Sequence, residues 1–168
     1  MAIFIIDTNF FIQAHRSIYP LDVATGFWHK VKQLVASEKI VIIDKVKAEI
    51  FFNDDELKRW LENNISDNVY KLTESQEVLT RYSQVVNWAN SKNDHYLPQA
   101  ITEFLELKNA DAWLVAYALS INEEKYIVTQ EVSAPNKLSK IKIPDVCDVF
   151  SINYLNTIGM FRKLDETF

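Results

Sequence analysis

Four acidic residues have the types and spacing to do chemistry together. Asp7 ends a continuous apolar run, Ala2 to Ile6, and opens a polar interruption, Asp7-Thr8-Asn9, before the chain turns apolar again at Phe10-Phe11-Ile12. Glu49 lies shortly after a second apolar run, Ile40 to Ile43, which also ends in an acid, Asp44. Asp111 opens an apolar stretch behind Asn109, and Glu131 follows Tyr126-Ile127-Val128-Thr129-Gln130. Two carboxylates about 4 Å apart repel by roughly 4 kcal/mol at an effective dielectric near 20, so acids that meet need protons or a divalent cation. Oxygen ligation without His or Cys favours a hard ion, Mg²⁺ or Mn²⁺, over zinc.

Whether they meet depends on the elements that carry them. An unbroken apolar, β-branched run such as Ala2–Ile6 reads as a strand buried on both faces inside a parallel sheet. Asp7 then stands at the carboxyl end of a central strand, where open α/β sheets bind ligands. Phe10 to Ser17 can form a short helical turn, closed by Pro20. Behind Asp22, the apolar spacing of Val23, Phe27, Val31, Leu34 and Val35 predicts an amphipathic helix over Asp22 to Ser37. Ile40–Ile43 is the second strand, and Val46, Ile50 and Phe51 suggest a short helix carrying Glu49. A helix follows from about Asp54 to Asn63, then a weaker strand at Val69–Leu72. Thr73-Glu74-Ser75-Gln76 reads as a capping box before a long helix. Pro98 opens the next helix, which runs to about Leu107, and Asn109 caps a further one over Ala110–Ile121. Tyr126–Thr129 is a strand, Ile141–Pro144 a short edge strand, and Ser151 the cap of a last helix reaching about Lys163.

Strands alternating with helices predict an α/β fold, a parallel sheet covered on both faces and joined by right-handed crossovers. In such a sheet the loops leaving the strands and the N-termini of the crossover helices share one edge, and that edge gathers Asp7, Glu49, Asp111 and Glu131. A plainer account exists for each acid alone. Helix N-termini attract carboxylates through the macrodipole, which explains Asp111 as well as ligation does, and Asp22, Asp44, Asp54, Asp55 and Asp145 belong to that background. Asp7 alone would be an Asx-turn, Glu49 a helix-surface residue and Glu131 a loop residue. The signal lies in the combination.

Composition narrows the classes. The 168 residues, 48% hydrophobic, fit one domain over 1–168 with a sizeable core. A formal charge of −5 and a pI near 5.2 argue against a protein that coats nucleic acid by bulk electrostatics; a metal-dependent nuclease stays allowed because bound cations offset its acids. Only Gly26 and Gly159 are present, so no Gly-rich nucleotide loop can form. Cys147 is alone, which suits a reducing compartment, and neither a membrane span nor a signal peptide is legible, so the cytoplasm is expected. His15, His29 and His95 are scattered, and the four tryptophans sit mostly at apolar helical positions, as core or interface.

Ile6-Asp7-Thr8-Asn9, Lys47-Ala48-Glu49-Ile50, Asn109-Ala110-Asp111-Ala112 and Val128-Thr129-Gln130-Glu131 resemble, in order and approximate spacing, the four signature blocks of PIN-domain nucleases. In size the chain is similar to the VapC-like ribonuclease toxins of toxin-antitoxin pairs. The resemblance implies a three-layer α/β/α fold with about five parallel strands in the order 3-2-1-4-5, and an acidic Mg²⁺ or Mn²⁺ site that hydrolyses RNA phosphodiesters to 5′-phosphate and 3′-hydroxyl ends. It assigns Asp7, Glu49 and Asp111 as the main metal-site acids and Glu131 as the fourth, where the family more often has the shorter aspartate. Asn9 and Thr129 match residues that orient water or substrate. The same resemblance implies an RNA substrate, an antitoxin protein as partner and a homodimer. The stretch Thr73–Lys108 departs from the pattern and marks an outlying subgroup.

Two other functions compete. A PIN-like fold with its site weakened at Glu131 would serve as a partner-binding module. An aspartyl-nucleophile phosphohydrolase would use Asp7, but that chemistry usually wants an aspartate two residues on, where Asn9 stands. Lys45, Lys47, Arg16 and His15 near the first strand ends, and Lys137, Lys140 and Lys142 near the last, are candidate phosphate contacts.

Overall fold

The strand β1 (Ile3–Ile6) has a parallel partner on each side, β2 (Ile40–Val41) and β3 (Lys125–Val128). Its residues Phe4, Ile5 and Ile6 are accordingly buried on both faces. β4 (Asn153–Leu155) pairs in parallel with β3, and the sheet order is β2-β1-β3-β4. The computed structural model describes all of residues 1–168.

The fold is α/β with helices flanking a parallel sheet, as expected, but the sheet has four strands, and its order differs from 3-2-1-4-5 by the missing third strand. The segment Val69–Leu72 supplies one parallel bridge, Ile43 to Lys71, beyond β2, after a 3₁₀ turn at Asp67–Val69. Leu72 is 60% exposed and the chain turns inward at Thr73, whose hydroxyl donates to Asp44 Oδ1 at 2.8 Å. One buried aromatic, Tyr70, is too little apolar sequence to extend a strand.

The helices are α1 (Thr8–Gln13), which runs on into a π-helical turn at Ala14–Ile18, α2 (Thr25–Ala36), α3 (Asp44–Phe51), α4 (Glu56–Asn64), α5 (Gln76–Ser91), α6 (Pro98–Phe104), α7 (Ala110–Ser120), α8 (Ile143–Phe150) and α9 (Thr157–Leu164). Four differences from the sequence reading have local causes. α2 starts at Thr25 because the Pro20 carbonyl accepts from the N–H groups of Val23 and Ala24, forming a turn where Asp22 was expected to cap. The cap of α5 is Ser75, whose hydroxyl accepts from the Val78 N–H, and not Thr73. Ile141–Pro144 is not an edge strand, since Pro144 sits in the first turn of α8, where a missing N–H costs nothing. Ser151 is the left-handed C-cap of α8 with φ 57°, so the chain reverses into β4, and α9 takes its cap from Asn156.

Packing separates the helices into two groups. Phe27 and Trp28 of α2, Trp60 of α4 and Phe161 of α9 join one aromatic cluster with Phe10 and Phe11. Tyr82 of α5 stacks on Trp113 of α7 at 3.8 Å, and Trp88 of α5 meets Phe104 of α6 and Phe150 of α8. α7 is apolar nearly all round because it lies between β3 and α5. No helix is long and apolar enough to cross a membrane. Ile5, fully buried on β1, sets the stability scale: Ile5→Ala is expected to cost about 2–5 kcal/mol in urea unfolding, whereas Leu72→Ala, at an exposed position, should stay within about 0.5 kcal/mol.

Candidate functional site

β1 and β3 end side by side, and their first residues beyond the ladder face each other. Asp7, 2% exposed, accepts a hydrogen bond at Oδ2 from the hydroxyl of Thr129 at 3.0 Å. Thr129 is in turn fixed by the Glu131 N–H, which donates to its Oγ1 at 3.1 Å. A strand end buried in an apolar sheet thus carries a carboxylate whose only side-chain donor is a neutral hydroxyl. Asp7 occupies the N-cap position of α1 but makes no capping hydrogen bond, so helix capping does not account for it. Asn9 contributes through its backbone N–H, which weakly favours the Asp7 carboxylate.

Asp111 reaches the same place from α7. The cap of that helix is Asn109, whose Oδ1 accepts from the Asp111 N–H at 3.0 Å, leaving the Asp111 carboxylate free of that duty. Glu49 enters from α3 and accepts at Oε1 from the Ala110 N–H at 2.6 Å, a link between segments 61 residues apart. Glu131, with an 8% exposed side chain, accepts at Oε2 from the Ile143 N–H at 3.2 Å and turns Oε1 toward the ammonium of Lys140 at 3.8 Å. All four predicted acids therefore stand at one edge of the sheet, and they divide into two kinds. Each glutamate gives one oxygen to the first turn of another helix, the favoured place for an anion. Asp111 has no such anchor, and Asp7 has only the weak contribution of the Asn9 N–H in the helix it precedes.

Their electrostatics follow. Asp7 is pushed up to about 7 from 3.8, chiefly by burial, with the Thr129 hydrogen bond opposing and the charges of Glu131 and Glu49 adding to the rise. Burial also holds the Asp111 carboxyl well above the usual carboxylate range, helped by Asp7, Glu131 and Glu49 and opposed by Lys140. The donor set is all oxygen, and two of its members carry an unbalanced cost of ionisation, which a hard divalent cation would relieve. No group of three His, Cys, Asp or Glu side chains converges tightly enough to cage an ion in this conformation. The four acids are tied together by their mutual charge effects, and the sheet edge that carries them is called the recess below.

Two residues that the sequence reading treated as background complete the edge. Asp145, in the first turn of α8, accepts from the Ser133 hydroxyl at 2.6 Å and from the Ala134 N–H at 3.2 Å, and so fixes the loop that follows Glu131. Lys140, grouped with other loop lysines by sequence, is the one cation that offsets Asp111. Nothing in local sequence separates either from ordinary helix-start acids and surface lysines.

Two outcomes test this geometry. Asp7 is raised on folding, so its protonated form favours the folded state fully only below its unfolded value of 3.8, and that contribution is lost as pH rises towards about 7. In EDTA, wild type should therefore lose stability relative to Asp7→Asn between about pH 4 and pH 7, by on the order of a kcal/mol or more, read from paired melting curves. Glu49→Gln keeps an acceptor for the Ala110 N–H and should melt with wild type, whereas Glu49→Ala orphans that donor and should cost about 1–3 kcal/mol.

Residues 4–168 match a family model described as a domain of unknown function, DUF4411. No curated protein and no solved structure matches the chain. The match spans the sheet, the flanking helices and every acid of the recess, and the chain belongs to the DUF4411 family.

Proposed function

We propose that this chain is a metal-dependent endoribonuclease with a PIN-like site. The observation that carries this reading is the pair Asp7 and Asp111, two aspartates of raised pKa at the carboxyl edge of a parallel sheet, neither neutralised by a paired basic side chain. A structural role would have given such groups a cation or a pair of donors, as Asp145 has in the Ser133 hydroxyl and the Ala134 N–H. A Mg²⁺ or Mn²⁺ ion bound there would acidify water to supply hydroxide near neutral pH and offset the charge of a phosphodiester.

The residues of the chain divide the remaining work. Asp7 and Asp111 would hold the ion, and its charge would return both to the ionised state. Thr129 fixes the rotamer of Asp7 by donating to Oδ2, and the Glu131 backbone orients Thr129. Glu49 and Glu131 are locked to α7 and α8 through one oxygen each, and the second oxygen of Glu131 faces Lys140. Lys140, on the rim beside Glu131, is placed to meet a phosphate oxygen. RNA as the substrate, the part of a toxin in a toxin-antitoxin pair with an antitoxin partner, a homodimer and a cytoplasmic setting rest on the resemblance to VapC-like toxins and on the single cysteine.

A second reading has an observation of its own. Glu49 and Glu131 both hold helix starts, and no three acids close on one point, which suits a PIN-like module that binds a partner without cleaving. A mixed pool of structured RNAs separates the two. Wild type with Mn²⁺ or Mg²⁺ should cleave, EDTA should abolish cleavage, and Asp7→Asn and Asp111→Asn should each lower the rate by about a hundredfold or more. An inert wild type whose melting temperature ignores Mn²⁺ would leave the binding module.

A further inference from the structure

Residues 130–142, between β3 and α8, contain neither helix nor strand, yet the fold ties them down at several points. Asp145 accepts from the Ser133 hydroxyl and the Ala134 N–H, the Nε2–H of His95 donates to the Pro135 carbonyl at 2.7 Å, and the Leu97 N–H donates to the Leu138 carbonyl at 3.0 Å. At the far end the Ile143 N–H is held by Glu131. Lys140 therefore leaves a loop whose backbone is fixed on both sides of it. Its ammonium lies 3.8 Å from Oε1 of Glu131, the oxygen that does not accept from Ile143. Lys140 also shares with Asp111 the lining of a small pocket of about 10 Å³, the room of a single water molecule, closed by Glu103, Phe104 and Asn109. No other lysine or arginine is ion-paired with any of the four acids.

We propose that the Lys140 ammonium is a built-in counter-ion of the acidic edge, which a divalent cation must displace in order to bind there. The proposal rests on the metal-site part of the function proposed above and is independent of the substrate. Its first ground is charge. A dication among these carboxylates repels an ammonium beside them and attracts each carboxylate about twice as strongly at equal distance, so the two compete for Glu131 and Asp111. The Lys140 charge already favours the ionised form of Asp111, which is the effect an ion would have there. Its second ground is the weakness of the existing pair. With a 38% exposed lysine side chain and a separation of 3.8 Å, the pair is screened by solvent and holds little in place, so little opposes its release. The third is the arrangement of the acids: no three of them close on one point in this conformation, and the positive charge that stands beside them belongs to Lys140. A lysine that only braced Glu131 would assist ion binding, whereas a competing lysine opposes it. That sign separates the two roles.

The test is Mn²⁺ binding to the full chain after chelation and buffer exchange, read from the electron paramagnetic resonance of free Mn²⁺ at fixed pH and salt. Lys140→Gln should bind Mn²⁺ about tenfold more tightly than wild type, and Lys140→Arg, which keeps the charge, should bind no more tightly than wild type. Lys137→Gln removes an equal charge from an exposed position of the same loop and should change the affinity by less than about threefold. In wild type, saturating Mg²⁺ should raise the rate at which acetic anhydride acylates Lys140, measured by peptide mass spectrometry with Lys137 as the reference. Lys140 is half-buried at the surface, so its substitution leaves the fold intact, and matching melting curves in EDTA would verify that. Equal or weaker Mn²⁺ binding by Lys140→Gln, or acylation of Lys140 that ignores Mg²⁺, would overturn the proposal and leave the metal site in place. A gain as large in Lys137→Gln would overturn it by reducing it to net charge, and no Mn²⁺ binding by any of these proteins would overturn it together with the metal-site reading. Tighter binding by Lys140→Gln, in a chain whose wild type cleaves no RNA, would uphold it and remove the nuclease reading.

Discussion

The constraint on which everything else depends is that β1 is buried on both faces and must still end. A strand with a parallel neighbour on each side and helices above and below offers no water to the group that follows it. Asp7 is that group. Its carboxylate is left with a neutral hydroxyl, that of Thr129, as its side-chain donor. The high cost of ionising Asp7 is thus a property of the sheet, set by the register that pairs Ile6 with Val128 and so aligns the two strand ends. Asp111 inherits the problem, because the helix that carries it begins at the same edge and brings no cation of its own.

The two glutamates show how such an edge is kept in order. An extra methylene lets each reach across to another element and accept from an amide in the first turn of a helix, Glu49 at Ala110 and Glu131 at Ile143. These bonds position α7 and α8 relative to the sheet while leaving one oxygen per side chain directed elsewhere. The longer side chain at 131 is therefore more than a departure from a shorter one: it brings the start of α8, and with it Lys140 and Asp145, into the electrostatics of the recess. Each glutamate braces with one oxygen only.

Much of this was legible in the chain. The apolar runs at Ile3–Ile6 and Tyr126–Val128 mark the strands, and each is followed by an acid of the edge. Asn109 before Asp111 reads correctly as a cap, and that assignment is what frees the aspartate. Other features were hidden for physical reasons. Asn153–Leu155 is a strand only because it lies against β3; alone, between Ser151 and Asn156, two equally good caps compete for the same helix. Pro144 is as compatible with a helix start as with an edge strand, and only the burial of Ile143 and Val146 decides. Lys140 acquires its meaning from Glu131 and Asp111 beside it, which no local pattern encodes.

The hydrogen bond from Thr129 to Asp7 joins residues 122 positions apart, and the link from Glu49 to Ala110 spans 61. Contacts of such long sequence separation are slow to form, because the entropy of closing the intervening chain is lost before they stabilise anything. The recess has no local precursor: its four acids are carried by four different elements, and even Asp111 and Glu131, the nearest two in sequence, are separated by the rest of α7 and the whole of β3. While the chain is being synthesised, Asp7 emerges early and waits for β3, the second-last strand, before it has a neighbour. Under the nuclease reading proposed above this ordering would act as a delay, since the parts of the acidic edge exist long before the edge does.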